Sequence, residues 1–224
     1  MPGGFWQRVG SLLQADLRRE LRGRTVVGLM VAFALTTGTA LSFTFGLGIE
    51  QQLPAAVGAF WTSLLFATIL GLNRAFALEG ENGVWEGLVL APLEPGALFL
   101  AKLGGNLLFL GLLDCVAVPA FAGLYNLPLL QVSVLFPVAL GTLALGAAGT
   151  LFVPLAGQTS AREILLPVVL LPLLVPVIIG AVQATLTAIT PPAGGQPPWT
   201  GLLAACSALF LGAGYLLYGY VLGE

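Results

Sequence analysis

The chain has 224 residues, 58% of them hydrophobic and 8% charged, with a net charge of −2 and a mean hydropathy of +0.98. A soluble globular domain carries about a quarter charged residues, so this composition excludes one and points to a membrane protein. There is no histidine, which removes zinc sites of the usual kind, Ser-His-Asp triads and His-ligated haem.

The first 24 residues pair a basic face with an apolar one. Phe5, Trp6, Val9, Leu12, Leu13, Leu17 and Leu21 recur at helical spacing, and Arg8, Gln14, Arg18, Arg19 and Arg22 take the other face. This predicts a helix lying on the cytoplasmic surface of the bilayer, with a polar leader that packs on nothing as the alternative. A secretory signal is not expected, because the apolar run that follows is too long and no small-residue cleavage site ends it.

Apolar runs of about 20 residues or more, long enough to cross a bilayer, follow at Thr25–Leu47, Leu53–Leu72, Ala97–Tyr125, Gln131–Ala156, Ile164–Val182 and Gly201–Leu222. Six spans place both termini on one side. All eight basic residues, Arg8, Arg18, Arg19, Arg22, Arg24, Arg74, Lys102 and Arg162, then fall on that side. The positive-inside rule makes it the cytoplasm. The outer loops hold Glu50 as their one charge, and the longest of them, Thr190–Thr200, is broken up by Pro-Pro and Gly-Gly pairs.

The first span carries Gly28, Ala32, Thr36, Ala40, Thr44 and Gly48 at every fourth position, and the last span Ala204, Ala208 and Gly212. Such ladders let helix backbones approach closely. Packing within the subunit is the expectation, a subunit interface the alternative.

The inner connection Asn73–Gly96 collects Glu79, Glu81, Glu86 and Glu94 beside Arg74. Glu81-Asn82-Gly83 reads as a turn, Gly83–Leu90 as about two helical turns, and Pro92 and Pro95 stop that helix from running into the next span. Val84, Trp85, Leu88 and Val89 are spaced to dock on a partner, with Glu86 on another side. A solvated connection whose acids keep it out of the membrane fits the same residues.

Asp114 is the one charged side chain deep in a span, about 18 Å along the helix from Lys102 at 1.5 Å per residue. An ionised carboxylate there costs on the order of 2.5–3.5 kcal/mol on insertion scales, so it needs a partner, water or a proton. Hydroxyls and amides such as Asn106 and Gln131 are the candidates, and a pathway or gating role and a structural polar contact both remain open. In the fifth span Pro167, Pro172 and Pro176 remove three backbone donors, which predicts a kinked, internally packed helix suited to moving or lining a cavity. Cys115 and Cys206 fall inside spans and read as small packing residues. No Gly-rich loop ending in Gly-Lys-Ser/Thr occurs, so a P-loop for ATP is not expected.

The stretch from Trp61 to Lys102, with Leu72, Arg74, Phe76, Glu79, Gly83, Glu86, Leu88, Pro92, Ala101 and Lys102 at their spacings, resembles the CcmB family, the haem exporter permease of bacterial cytochrome c maturation. The run Leu171-Pro172-Leu173-Leu174-Val175-Pro176-Val177-Ile178-Ile179-Gly180 resembles that family's Pro-rich fifth helix. The resemblance implies an all-α, type-2 ABC exporter permease in the bacterial inner membrane, with six spans, an N-terminal interfacial helix over residues 1–24 and a single membrane domain over 25–224. It implies two permease copies paired with two copies of a separate ATPase, CcmA, and association with CcmC, CcmD and the haem chaperone CcmE. Gly83, Val84, Trp85, Glu86 and Leu88, with Glu79, would form the coupling element that seats in the ATPase. Under this reading the chain has no enzymatic centre and binds no cofactor of its own. ATP acts through the partner, haem is a candidate substrate, and nothing points to nucleic acid. The chain departs from the family at Asn106-Leu107, where many relatives have His-Trp, so a haem ligand is not expected there. Two other readings stay open: a permease for a lipid, polysaccharide or drug, and a membrane scaffold that turns ATPase strokes into release of a bound chaperone.

Overall fold

The structure is a computed structural model that describes residues 25–44, 52–81, 94–157, 162–192 and 198–222. Six helices run through them: α1 (Thr25–Thr44), α2 (Gln52–Glu81), α3 (Pro95–Tyr125), α4 (Val132–Gly157), α5 (Arg162–Ile189) and α6 (Trp199–Leu222). Each is long and apolar enough to cross a membrane, so the chain is a multi-pass, all-helical membrane protein. In hydrocarbon every backbone polar group must bond within its own segment, and the α-helix is the structure that does so locally.

Two helices outrun the expected spans. The connection expected from Asn73 is still α2 as far as Glu81. Hydropathy reads how much of a helix suits lipid, while the helix itself continues through Asn73, Arg74 and Glu79 because no Gly or Pro interrupts until Gly80. The same holds for α5, which continues beyond Val182 to Ile189. There Gln183, Thr185 and Thr187 lower the hydropathy without breaking the helix, and Thr187 Oγ1 donates back to the Gln183 carbonyl at 3.0 Å. Helix α3 begins where the prolines require it. Glu94 is extended and Pro95 occupies the first turn, where its missing N–H leaves no bond unmade. It ends on Asn126 in the left-handed region, φ 51°, with the Asn126 N–H bonded to the Ala122 carbonyl, a conformation that Asn tolerates. The short turn that follows returns the chain into α4, antiparallel to α3.

Helix α4 lies against α2, α3, α5 and α6, and α2 lies against α1, α3, α4 and α5, whereas α1 packs on α2 and α3. An aromatic cluster joins α2 to α3. Phe60 meets Trp61 and Phe121 edge to face with ring centroids 5.5 and 5.4 Å away, and Phe121 stacks on Tyr125 at 5.6 Å. Trp61 also lies over Gly141 of α4, where any Cβ would overlap its ring. Lipid tails are as apolar as Leu, so such fitting and interhelical hydrogen bonds hold a bundle together. Every helix takes part in one. Tyr125 Oη donates to the Gly38 carbonyl at 2.7 Å and Trp61 Nε1 to Thr185 Oγ1 at 3.0 Å. Ser207 Oγ donates to the Leu140 carbonyl at 3.1 Å, and two further bonds join α3 to α4.

Candidate functional site

Those two bonds define the polar seam of the membrane domain. Asn106 Nδ2 donates to Thr150 Oγ1 at 2.8 Å, and Thr142 Oγ1 donates to Asp114 Oδ2 at 2.7 Å. Eight residues forward on α3 match eight residues back on α4, so both pairs belong to one antiparallel register, about 12 Å apart along the helices. Halfway between them Gly146 faces Leu110, and a Cβ on Gly146 would stand 3.0 Å from Leu107 Cδ2 and 3.1 Å from Leu110 Cδ1. The glycine therefore lets the two backbones approach closely enough for short side chains to bond on either side. Thr150 passes its own hydrogen to the Gly146 carbonyl at 2.7 Å, which leaves its oxygen to accept from Asn106.

Asp114 thus has a hydroxyl partner, as expected of its chemistry, but on α4 rather than at the anticipated residues. Asn106 is engaged with Thr150, and Gln131 is exposed at the α3–α4 turn, its carbonyl accepting from Val134 N–H at 2.9 Å. Asn106 serves as a fastener between helices. Thr142 and Thr150 are residues that the sequence reading passed over. Their signal was available: two hydroxyls eight apart on one helix, mirrored by two polar residues eight apart on the helix before it. Lys102 is buried within the bundle at 8% exposure.

The small-residue ladder does not pack inside the subunit. Gly28, Ala32, Thr36 and Ala40 are all exposed, on the side of α1 opposite to buried Val26, Met30 and Ala34. Ala204, Ala208 and Gly212 of α6 are exposed as well. Residue size does not separate the two faces: Ala34 and Gly38 of α1 and Ser207 and Gly214 of α6 are buried, while Leu29, Phe33, Leu209 and Leu216 are exposed. The prolines of α5 need a similar correction. The helix runs unbroken from Arg162 to Ile189, and Pro172 and Pro176 stand with Val175 and Ile179 on its exposed face rather than packed internally. Pro167 lies within the same helix. Pro172 and Pro176 leave the carbonyls of Val168 and Pro172 without an intrahelical donor.

Glu79 sits in the last turn of α2. Gly83, Val84, Trp85, Glu86 and Leu88 lie outside the described residues, as does the segment 1–24. At the end of the bundle where α3 begins, an open groove of about 430 Å³ is lined by Pro95, Gly96, Tyr215, Leu216, Gly219 and Tyr220. Cys115 and Cys206 are both free thiols, the former exposed.

Among the described residues the arrangement is that of a membrane domain with one embedded carboxylate, a fastened α3–α4 pair and outward faces on α1, α5 and α6. Known proteins are similar to it in sequence. The chain is 36% identical over 174 residues to heme exporter protein B of Rhodobacter capsulatus, covering 75% of this chain and 78% of that protein. It is 33% identical over 205 residues to heme exporter protein B of Pseudomonas aeruginosa, covering 88% and 90%, and 31% identical over 198 residues to that of Paracoccus denitrificans, covering 86% and 87%. The family model described as CcmB protein matches residues 7–214, and with nearly the whole chain inside that match it belongs to the CcmB family.

Proposed function

We propose that this chain is the membrane permease subunit of a bacterial haem-exporting ABC complex that serves cytochrome c maturation. The observation that carries the reading is the CcmB match over residues 7–214, joined to relatives named heme exporter protein B along most of their length. Six membrane-crossing helices support it. In this reading two copies pair with two copies of a CcmA-like ATPase, which binds and hydrolyses the ATP, and the assembly includes CcmC, CcmD and the haem chaperone CcmE. Both termini lie in the cytoplasm, residues 1–24 lie along the inner surface as a separate element, and residues 25–224 form one membrane domain. The Gly83–Leu90 segment, reached from Glu79 at the end of α2, seats in the ATPase, so a stroke there is delivered directly to α2 and α3.

The absence of histidine from the sequence bears on what is moved. A permease without imidazole cannot hold haem iron through histidine. In this reading the chain acts on haem held by another subunit, and converts ATPase strokes into export or into release of the loaded chaperone. The test is to purify the tagged chain from membranes of cells assembling cytochrome c, and to identify the co-purifying subunits and haem by mass spectrometry and absorption. We expect an ATPase subunit and haem-loaded chaperone, with ATP lowering the amount of chaperone retained. Recovery of the ATPase with neither haem nor chaperone, together with normal cytochrome c in a deletion strain, would assign the chain to a different exporter.

A further inference from the structure

The α3–α4 seam opens to the outside at the level of Asp114. Asp114 itself is only partly buried, Cys115 beside it is exposed, and a Cβ built on Gly111 would meet nothing within 4 Å. Across the seam, Ala139 of α4, about one turn from buried Thr142, is exposed, as are Leu135 and Phe136 a turn further on. The carboxylate therefore stands at the floor of an outward-facing, largely apolar furrow, with small side chains at Gly111 and Ala139 on its walls. Thr142 supplies one hydrogen bond and no charge. Among the described residues of α3 the one basic residue, Lys102, is about 18 Å away along the helix axis. An embedded carboxylate is retained where it meets a cation, a proton or water, and this one is presented toward the face that neighbouring membrane helices can reach.

We propose that the furrow between α3 and α4 receives a transmembrane helix of another subunit, and that this helix presents a Lys or Arg side chain to Asp114. Charge complementarity selects the occupant. A lipid tail would fill the apolar walls and leave the carboxylate unmatched, and the described helices of a second copy carry their basic residues, Arg74, Lys102 and Arg162, away from the middle of the spans. Gly111 and Ala139 let the incoming backbone come close, as small residues do at membrane helix contacts, which brings even a short reach within hydrogen-bonding distance. The proposal rests on the chain working inside a multi-subunit exporter.

The test uses the intact complex, purified after its subunits have been identified, so that failure of the complex to form is read separately from failure of this contact. A photo-reactive residue replaces Cys115 in one sample and Ala139 in another, with Asp114 unchanged. The expected result is a cross-link at both positions to one other subunit, mapping to a membrane span within about one turn of a Lys or Arg. Asp114→Asn should lower the cross-link yield severalfold. Exchanging the charges, Asp114→Arg with the partner's basic residue changed to Asp, should restore it. Adducts with lipid alone, cross-links to a second copy of this chain, or a partner span with no basic residue would each overturn the proposal. So would a yield unchanged by Asp114→Asn.

Discussion

Thr142 Oγ1 donates to Asp114 Oδ2 across the α3–α4 seam at 2.7 Å, in the same register in which Asn106 donates to Thr150 at 2.8 Å. One pair holds an ionisable group and the other does not, so the two fasteners can be separated by mutation.

Asp114→Asn keeps the shape of the side chain and an oxygen that accepts from Thr142, and removes ionisation. We expect the variant to insert normally and to lower cytochrome c maturation. Asp114→Leu removes an insertion cost on the order of 2.5–3.5 kcal/mol for an embedded charge, so it should insert at least as well and mature cytochrome c no better. Haem staining of membrane proteins reads the outcome, and normal maturation by both variants would make Asp114 a structural contact.

The Asn106–Thr150 pair should act on stability. A double-mutant cycle of Asn106→Leu and Thr150→Val in the unfolding of purified chain is expected to give a coupling energy of about 0.6 kcal/mol, and at most about 1.7 kcal/mol, the range found for interhelical hydrogen bonds in membranes. The cycle is the appropriate measure, since Thr150→Val alone also removes the bond to the Gly146 carbonyl. A coupling energy of zero would mean that the close approach at Gly146 alone sets the seam.

Two glycines should respond differently to the same change. Gly141→Leu drives a side chain into the ring of Trp61, which is held by Thr185 and cannot swing aside without losing that bond. Overpacking of this kind costs about 1–3 kcal/mol. Gly28→Leu meets open space, with nothing within 4 Å of its Cβ, and should leave the stability of the isolated subunit unchanged. Thermal unfolding in detergent compares the two. If Gly28→Leu instead reduces assembly of the whole complex, the outward ladder of α1 is a contact between subunits.

Trp85→Ala combined with Glu86→Ala tests the coupling segment. Loss of a large amphipathic side chain at a docking site could cost about 2 kcal/mol or more. The ATPase should then be lost during purification while the chain remains in the membrane. Unchanged co-purification would return Gly83–Leu90 to a solvated connection.

Class, span number and the approximate place of each span were legible in the composition and in six apolar runs, because bilayer thickness imposes a length and a polarity that a sequence displays directly. The chemistry of the embedded carboxylate was legible too, since a charge among apolar neighbours demands a partner wherever the chain goes. Which partner it has was not. Asn106 lies on the same helix and Gln131 close by in sequence, yet Thr142 holds Asp114, because the register of α3 against α4 is set by the turn at Asn126 and by the close approach at Gly146. The directions of the ladders were equally hidden. Gly28, Ala32, Thr36 and Ala40 mark a face where another helix can come near, but every face of a membrane helix is apolar, so no contrast between polar and apolar sides says which one turns inward. In a soluble helix that contrast orients the element. Here orientation was decided by the mutual fit of the helices and by a few interhelical hydrogen bonds, which exist only once the helices are assembled.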